Sequence, residues 1–333
     1  MLPRALLTLG LLLELGAGAL LCGCWERLPI DPHGFQCTTS AQCGGSLACV
    51  KGRCDDANQA ELSFPIRAAF FKLDYPFSWK LGTERQAHQS ASLGDYVSID
   101  ALSAHLQAFE YAGIQVAITY WWGNGSPTDS ALGKFMTAST SSSLRWAALY
   151  MRETADHPAG TTLAHFLTDV RIKFVGLPNY LRVDGKPVLF VLSDAVAPTC
   201  ELADRWATAG ASAGVYVVLR PSAGMSKGFV ACAAQPAAWF QFDSAKAEVA
   251  QGDSIAISPG QWVWNVAEPA LARDSSRWQT SVEHVAASTA KFQLVTSFND
   301  WADGSAVESG TEWGSSSGFG VYLDALHAHP NAQ

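Results

Sequence analysis

A short segment that follows an apolar run carries four acidic side chains. The segment is VTSFNDWADGSAVESGTEW, and its carboxylates belong to Asp300, Asp303, Glu308 and Glu312, with no Lys or Arg among them. Asp300 and Asp303 are three residues apart, so a helical turn would project both to the same side. Without a nearby cation, such neighbours raise the pKa of one carboxyl group, leaving one protonated and one ionised. This pair could supply the acid and the base or nucleophile of glycosidic cleavage, which work about 5–9 Å apart.

The same spacing also fits a structural role. Asp300 could cap a helix, and Asp303 could open a turn at the Ala-Asp-Gly sequence, because Asp-Gly is a common turn signal. The spacing alone leaves both interpretations open.

A second candidate segment, YWWGNGSPTD, follows another apolar run. Successive side chains of a strand point to opposite faces, so Trp121 and Trp122 cannot both point into the interior of a barrel. Either one of these indoles lines a cleft, where it could stack on a sugar ring, or both pack beneath the following loop. Asp129 either binds a sugar hydroxyl or caps the helix that follows.

Short apolar runs alternate with helical patterns through residues 62–333. Most runs are almost continuously apolar, which is typical of strands buried on both faces of a parallel sheet. Eight such runs predict an α/β fold, a (β/α)8 TIM barrel. An open doubly wound sheet is the alternative, but FFKLDYPFSW lacks the glycines expected after its first strand. The runs begin at Arg67, Val116, Arg145, Pro187, Gly214, Trp239, Ile255 and Phe292.

Three intervening segments have clear helical periodicity. The first has Asp100 as a candidate N-cap and Gly113 as its C-terminal stop. The second ends at Gly176, and the third precedes the last strand. The segment between strands six and seven is short and contains glycine, so we predict no full helix there.

A barrel places its active-site groups just after the strand ends, on one face. Carboxylates, aromatic rings and amides recur at these positions, together with Lys72, Arg220 and Asp243. Such groups suit a saccharide cleft, where rings contact sugar faces and forked polar groups bind hydroxyls. The predicted substrate-binding residues are Asp74, Tyr75, Tyr120, Trp121, Trp122, Asp129, Tyr150, Glu153, Trp262, Asn299, Trp301 and Glu308.

The composition argues against several other functions. The net charge is −8 and the chain has only 22 Lys and Arg, without a basic stripe for nucleic acid. The G-x-S-x-G, H-E-x-x-H and Walker motifs are absent from the sequence, and its histidines are scattered. We predict no metal and no cofactor, and a monomer.

The N-terminus has the pattern of an export signal. Residues 1–24 contain an early Arg, an apolar run and LCGC, which resembles a bacterial lipobox. Cys24 would then carry the lipid, with Cys22 as a second candidate and a plain secretory signal as the alternative. We predict an exported protein that is anchored to the outer membrane or cell surface through this lipid.

Residues 25–61 form a Cys-rich module and linker. In an exported chain, Cys37, Cys43, Cys49 and Cys54 predict two disulfides, whose pairing the sequence does not choose. A zinc site is the rival interpretation, but no histidine lies among these cysteines. Cys200 and Cys232 form a third disulfide or remain as two buried thiols.

Several motifs together resemble glycoside hydrolase family 99-like proteins, the clan around the endo-α-mannosidases. They are ITYWWGNGSPTD, NYLRVDGKPVLFVL, ISPGQW, LARDSSRW and VTSFNDWADGSAVE, spread from about Arg67 to about Leu326. The resemblance implies a (β/α)8 barrel and retaining endo-hydrolysis of α-mannan or N-glycan, without a metal. It implies that Asp300 is the base that helps the substrate's own 2-hydroxyl attack the anomeric carbon. Asp303 would be the general acid and base at the leaving group.

The chain departs from that family in two places. The family usually has Glu where this chain has Asp300 and Asp303, and each loses a methylene, about 1.5 Å of reach. A misplacement near 1 Å can lower a rate ~100-fold. Lys72 and Leu73 also replace a Tyr-Pro-Trp-like run. The leading hypothesis is an exported glycoside hydrolase. The alternatives are a non-catalytic carbohydrate-binding lipoprotein and a structural lipoprotein without a ligand.

Overall fold

The computed structural model describes residues 35–38, 42–43, 47–50, 53–56, 61–73, 91–94, 99–153, 162–193, 200–220, 232–263 and 265–330. The predicted signal peptide with its lipidation site Cys24 lies outside the described residues, as do the predicted substrate contacts Asp74 and Tyr75.

The Cys-rich region contains an antiparallel hairpin of β1 (Leu47–Val50) and β2 (Arg53–Asp56). Cys43 and Cys54 form a disulfide, and Cys37 is also disulfide-bonded, whereas the side chain of Cys49 lies outside the described part. The sulfur atoms of Cys37, Cys43 and Cys54 lie close together. Because all three are used in disulfides, they are not available as zinc ligands.

Eight parallel strands form the ring that the sequence predicts, so the barrel assignment is confirmed. Two further strands, β6 (Arg182–Val183) and β10 (Glu248–Gln251), are short antiparallel additions to it. In chain order the strands are β3 (Ile66–Phe71), β4 (Val116–Trp121), β5 (Arg145–Glu153), β6 (Arg182–Val183), β7 (Lys186–Ser193), β8 (Tyr216–Arg220), β9 (Ala238–Trp239), β10 (Glu248–Gln251), β11 (Ser254–Ile257) and β12 (Phe292–Val295).

The ring closes at two junctions of different kinds. The last strand, β12, pairs in parallel with the first, β3. Between β9 and β11, the contact is made by fewer bonds. Asp253 donates its backbone N–H to the carbonyl of Trp239 at 3.1 Å and accepts the Trp239 N–H on its carboxylate at 2.9 Å. The backbone N–H of Gln241 donates to Oγ of Ser254 at 3.0 Å.

The strands are buried on both faces, which explains their almost continuous apolar sequences. In β3, Ile66, Ala68 and Phe70 belong to the apolar cluster inside the ring, whereas Ala69 and Phe71 belong to the cluster beneath the helices. Arg67 is also buried, and its guanidinium donates to the carbonyls of Leu326 at 3.2 Å and His329 at 2.7 Å.

Six α-helices are described around the ring. They are α1 (Ile99–Tyr111), α2 (Pro127–Ala138), α3 (Leu163–Val175), α4 (Cys200–Ala213), α5 (Ser275–Ala287) and α6 (Val321–Ala328). The short strand β10, which pairs with β11, lies in the chain between strands six and seven of the ring, β9 and β11, where no full helix was predicted. None of the described helices is both long and apolar enough to cross a membrane.

The predicted helix ends are only partly correct. Gly113 has a φ of 63° and stands just after α1, as its role as a stop requires. Asp100 is not the N-cap, because helical structure already begins at Ile99 and places Asp100 inside the first turn. An acidic side chain in that turn still favours the helix through its interaction with the helix dipole.

Two features of the sequence have structural explanations in the fold. The Asp-Gly-Lys-Pro-Val stretch forms the turn between β6 and β7, with φ of 52° at Asp184 and 73° at Gly185. Positive φ at both central residues is the geometry of a type I′ hairpin, for which Asp-Gly is suited.

Cys200 and Cys232 form a disulfide, which resolves the alternative of two buried thiols.

Candidate active site

A cavity of about 280 Å³ opens where the parallel strands end. Its position agrees with the rule that the carboxyl ends of barrel strands build the active site. Both aspartates of the predicted pair line it. The lining residues are Phe70, Tyr120, Arg220, Phe242, Asp243, Ser244, Gln261, Thr296, Ser297, Asp300, Asp303 and Ser305.

Asp300 uses its two carboxylate oxygens in different ways. Oδ1 accepts the backbone N–H of Asp303 at 3.1 Å, while Oδ2 lies 2.8 Å from the ammonium nitrogen of Lys72. Its own backbone N–H donates to Oγ of Ser297 at 2.8 Å. Asp300 therefore closes a local turn and also lines the cavity, so the two interpretations of the sequence are compatible.

Asp303 is partly withdrawn from solvent. Burial raises the pKa of Asp303, and the nearby Asp300 carboxylate raises it further. Hydrogen bonds from Gln261, Ser305 and Ser244 lower this pKa, but by less, so that the net shift is upward. The amide Nε2 of Gln261 donates to Oδ1 of Asp303 at 2.7 Å. One member of the pair is thus biased toward the protonated form, as the sequence predicts.

The expectation that this acidic segment lacks a nearby cation is wrong. Because β12 pairs with β3, the end of the first strand brings Lys72 to Asp300. His105 of α1 also contacts the segment, with Nε2 at a hydrogen-bond distance of 3.0 Å from the buried carboxylate of Glu308. Lys72 and His105 are distant from the segment in sequence, so their contacts cannot be seen from the segment alone.

The loop after β12 is held tightly in place. Ser297 donates its backbone N–H to the carbonyl of Ser305 at 3.0 Å, and Arg273 donates to the carbonyls of Gly304 at 3.0 Å and Ala306 at 2.7 Å. Gly304 has a φ of 67°, and a Cβ there would lie 2.5 Å from the carbonyl oxygen of Trp262. The absence of a side chain at Gly304 therefore allows the loop after β11 to approach Asp303.

The cavity lining also contains a cation, Arg220, and a third carboxylate, that of Asp243. The guanidinium of Arg220 lies over the ring of Phe242 at 4.3 Å and donates from Nε to Oε1 of Gln241 at 2.6 Å. Asp243 is half-exposed and lies 3.3 Å from the ammonium of Lys246. Both residues stand at strand ends, where the sequence places them.

Of the predicted substrate-binding residues, Tyr120 lines the cavity. Trp121 and Tyr150 are almost completely buried and pack against each other with ring centroids 5.8 Å apart. Asp129 accepts from Nε1 of Trp121 at 2.8 Å and pairs with Lys173. Burial acts to raise the pKa of Asp129, but the bonds from Lys173, Gly125 and Trp121 outweigh it and lower the pKa. These contacts support the fold around α2.

Three residues of the acidic segment that were predicted to bind substrate are buried instead. Asn299 is 0% exposed and bonds the backbone of Lys72 with both ends of its amide, at 2.8 and 3.0 Å. Glu308 accepts from Nε1 of Trp301 at 2.9 Å, and Trp301 stacks on Trp313 with centroids 5.3 Å apart. The hydrogen bonds of Asn299, Trp301 and Glu308 are thus directed into the protein rather than into the cavity.

The remaining predicted contacts lie outside the cavity lining. Glu153 is buried and pairs with Arg205, and burial raises the pKa of Glu153 to about 7. Trp122 is 49% exposed, and Trp262 donates Nε1 to the carbonyl of Val266 at 3.1 Å. Among the described residues, the rings that line the cavity are those of Phe70, Tyr120 and Phe242, and no indole does so.

Some lining residues were not predicted from the sequence. Gln261 lies four residues beyond β11 and within the ISPGQW motif, so a wider search of strand ends would have found it. Ser297, Ser305 and Phe242 carry no distinctive signal, because serines and phenylalanines are frequent throughout the chain. Only the folded arrangement assigns them to the cavity.

The barrel resembles solved glycoside hydrolases. A GH99 endo-α-mannosidase from Bacteroides thetaiotaomicron superimposes with a TM-score of 0.59 at 12% identity, covering 80% of this chain and 97% of that one. A GH99 endo-α-mannosidase from the same organism in complex with Bis-Tris propane gives a TM-score of 0.54 at 14% identity, covering 74% of this chain and 87% of that one. No family model matches the chain, and no curated protein does. At such low identity the similarity establishes a glycoside hydrolase-like TIM-barrel fold.

Proposed function

We propose that the protein is a glycoside hydrolase in which Asp303 is the general acid and Asp300 the base. The observation that carries this proposal is that both carboxyl groups line one strand-end cavity in unlike surroundings. Asp300 faces an ammonium group, whereas burial and Asp300 itself raise the pKa of Asp303. A protonated and an ionised carboxyl group side by side are what glycosidic cleavage requires.

We further propose a retaining, endo-acting reaction on an α-linked mannan, glycan or related polysaccharide. The resemblance to the endo-α-mannosidase clan and the endo-α-mannosidases among the structural neighbours support this choice. In the first step, Asp300 accepts the proton of the 2-hydroxyl, the 2-oxygen bonds to the anomeric carbon, and Asp303 protonates the departing glycosidic oxygen. In the second step, Asp303 accepts a proton from water as the water oxygen bonds to that carbon, and the 2-oxygen departs and is reprotonated by Asp300.

The test is release of reducing ends from a panel of α-mannans, N-glycans and α-glucans. We expect Asp303→Asn to lower kcat on natural glycans by about 10²–10⁴-fold. The loss should be much smaller on an aryl glycoside whose leaving group needs no proton. Asp300→Asn should impair both substrates, and the exposed helix residue Asp204, changed to Asn, serves as the matched control.

A non-catalytic carbohydrate-binding protein is the alternative outcome. The shorter reach of Asp compared with Glu at both positions favours it. Binding of glycans by calorimetry without hydrolysis of any panel member would establish this alternative. Activity that persists unchanged in Asp303→Asn on natural glycans would overturn the proposed role of Asp303.

We also propose that the protein is exported, anchored through a lipid on Cys24, and monomeric. The disulfides Cys43–Cys54 and Cys200–Cys232 support export, because disulfides persist in oxidising compartments. Metabolic labelling with a radioactive fatty acid should mark the wild-type protein and not Cys24→Ser. Membrane fractionation then tests the location, and light scattering of protein lacking residues 1–24 tests the oligomeric state.

A further inference from the structure

Lys72 ends the first barrel strand beside the cavity. It follows β3 directly, and its ammonium nitrogen lies 2.8 Å from Oδ2 of Asp300. The lysine side chain is 23% exposed and that of the aspartate 10%, so the pair is partly withdrawn from solvent. Its attraction is screened less than that of a fully exposed pair.

Asn299 fixes the backbone of both partners of the ion pair between Lys72 and Asp300. Asn299 accepts the backbone N–H of Lys72 on Oδ1 at 2.8 Å and donates Nδ2 to the carbonyl of Lys72 at 3.0 Å. Asn299 immediately precedes Asp300 in the chain. The backbone positions of Lys72 and Asp300 are therefore set relative to each other by a buried, doubly hydrogen-bonded amide.

Other titratable and charged groups face Asp300 from neighbouring elements. Asp303 lies on the same loop, Tyr120 on β4, Arg220 at the end of β8, and Asp243 after β9. The Tyr120 ring centroid is 5.5 Å from the Lys72 ammonium. The guanidinium of Arg220 donates to Gln241 and Phe242, and Asp243 lies near Lys246. Among the residues that the structure describes, Lys72 supplies an ion-pair contact with Asp300.

Two electrostatic effects follow from this arrangement. A cation in contact with a carboxylate favours the ionised form of that carboxylate. The negative charge thereby maintained on Asp300 opposes a second negative charge on Asp303. Asp300 and Asp303 have identical side chains three residues apart, but these two effects give them different tendencies to carry a negative charge.

We propose that Lys72 is the positioning residue that gives the two aspartates their opposite roles. Its ammonium group stabilises the negative charge of Asp300 as the base, and that charge favours the protonated form of Asp303 as the acid. This inference rests on the proposed hydrolase function. Lys72 acts through Asp300 and need not contact the substrate.

The kinetic test compares the pH profiles of kcat/KM for four proteins. Lys72→Met removes the charge, and Lys72→Arg keeps it. Lys291→Met is the matched control, because Lys291 makes an ion pair with Asp253 at the same 2.8 Å distance but at the starts of β11 and β12, away from the cavity. The acidic limb of the profile reports ionisation of the base. We expect it to move to higher pH in Lys72→Met, because the base loses its ion-pair partner.

The three variants distinguish an electrostatic effect of Lys72 on Asp300 from a general loss of folded protein. Lys72→Arg should retain the wild-type limb, and Lys291→Met should superimpose on the wild type after correction for folded fraction. A limb in Lys72→Met that coincides with the wild type would overturn the proposal. A loss of activity at all pH values with an unmoved limb would also overturn it.

A second readout does not depend on hydrolysis. In protein labelled with ¹³C at the aspartate carboxyl carbons, Asp300→Asn and Asp303→Asn assign the two signals. The titration of the Asp300 signal should differ between Lys72→Met and the wild type, because the ion pair is lost, and should be unchanged in Lys72→Arg. Unchanged midpoints would refute the role of Lys72. If no glycan is hydrolysed but the midpoint moves, the hydrolase proposal fails while the coupling stands.

Discussion

The side-chain amide of Gln261 donates a 2.7 Å hydrogen bond to the carboxyl group of Asp303, although 42 residues separate the two in the chain. The contact exists because the loop after β11 lies against the loop after β12, where the backbone N–H of Trp262 also donates to the carbonyl of Asp303 at 3.0 Å. Gln261 orients the carboxyl group with a neutral donor. Its hydrogen bond opposes the rise in the pKa of Asp303 without cancelling it.

The raised pKa of Asp303 predicts a pH-dependent gain in stability when the charge is removed. Between the ordinary pKa of an aspartate and the higher folded value, the folded state binds more protons than the unfolded state. Stability therefore falls as the pH rises through this range. Asp303→Asn, which can still accept from Gln261, should raise the free energy of unfolding at pH 7.5 and leave it nearly unchanged at pH 4.

Urea unfolding at the two pH values checks this prediction. Asp300→Asn provides the contrast, because it removes the anionic partner of Lys72 and should destabilise the protein at pH 7.5. If Asp303→Asn proved less stable than the wild type at pH 7.5, burial would not be the dominant influence on this carboxyl group.

Gly304→Ala should disrupt the site by separating its two loops. The new Cβ would lie 2.5 Å from the carbonyl oxygen of Trp262, at a φ of 67° that disfavours any side chain. We expect a loss of about 2–4 kcal/mol in unfolding free energy and a matching loss of glycan binding. Gly94→Ala is the control, because Gly94 has a φ of 69° but no atom within 4 Å of the added Cβ. Equal effects of the two substitutions would rule out the clash as the cause.

Glu308→Gln should weaken the fold rather than the binding of saccharide. Glu308 is 2% exposed, and its carboxylate contacts both Nε1 of Trp301 and Nε2 of His105. An amide in its place puts a donor against one of these groups, at a cost of about 1–3 kcal/mol. Thermal unfolding measures this cost, and Glu312→Gln at an exposed position is the control. If Glu308→Gln lost glycan affinity but kept the stability of the wild type, Glu308 would be a substrate-binding residue after all.

Removal of the Cys200–Cys232 disulfide should destabilise the barrel strongly. The bond spans 32 residues between the start of α4 and the segment before β9. Chain entropy predicts a loss of roughly 3–4 kcal/mol in a Cys200→Ser and Cys232→Ser double variant. Denaturant unfolding measures the loss. A reductant should then affect the wild type more than the double variant, and equal stability of the two oxidised proteins would contradict the prediction.

The strands were predictable because burial on both faces requires almost continuously apolar sequences, which are easy to recognise. Each of the eight apolar runs became a strand of the ring, and Asp300 and Asp303 both reached the cavity at its rim. Strand-end position does not specify the direction of a side chain, however. Trp121 and Glu308 were therefore predicted as binding residues although they are buried.

The partners of the charged groups were less accessible to prediction. The contact between Lys72 and Asp300 depends on the pairing of the first strand with the last, and the bond from Gln261 to Asp303 depends on the approach of two loops. Neither partner is within a few residues of the aspartates. Such tertiary contacts determine the electrostatics of the cavity, whereas local spacing determines only which carboxyl groups are available.

The amide of Asn299 bonds the residue that follows β3, the first barrel strand to be synthesised, from 227 residues further along the chain. A growing polypeptide that stops short of β12 contains neither Asp300 nor Asp303. The strand-end cavity is consequently completed only once translation has passed this last strand of the barrel.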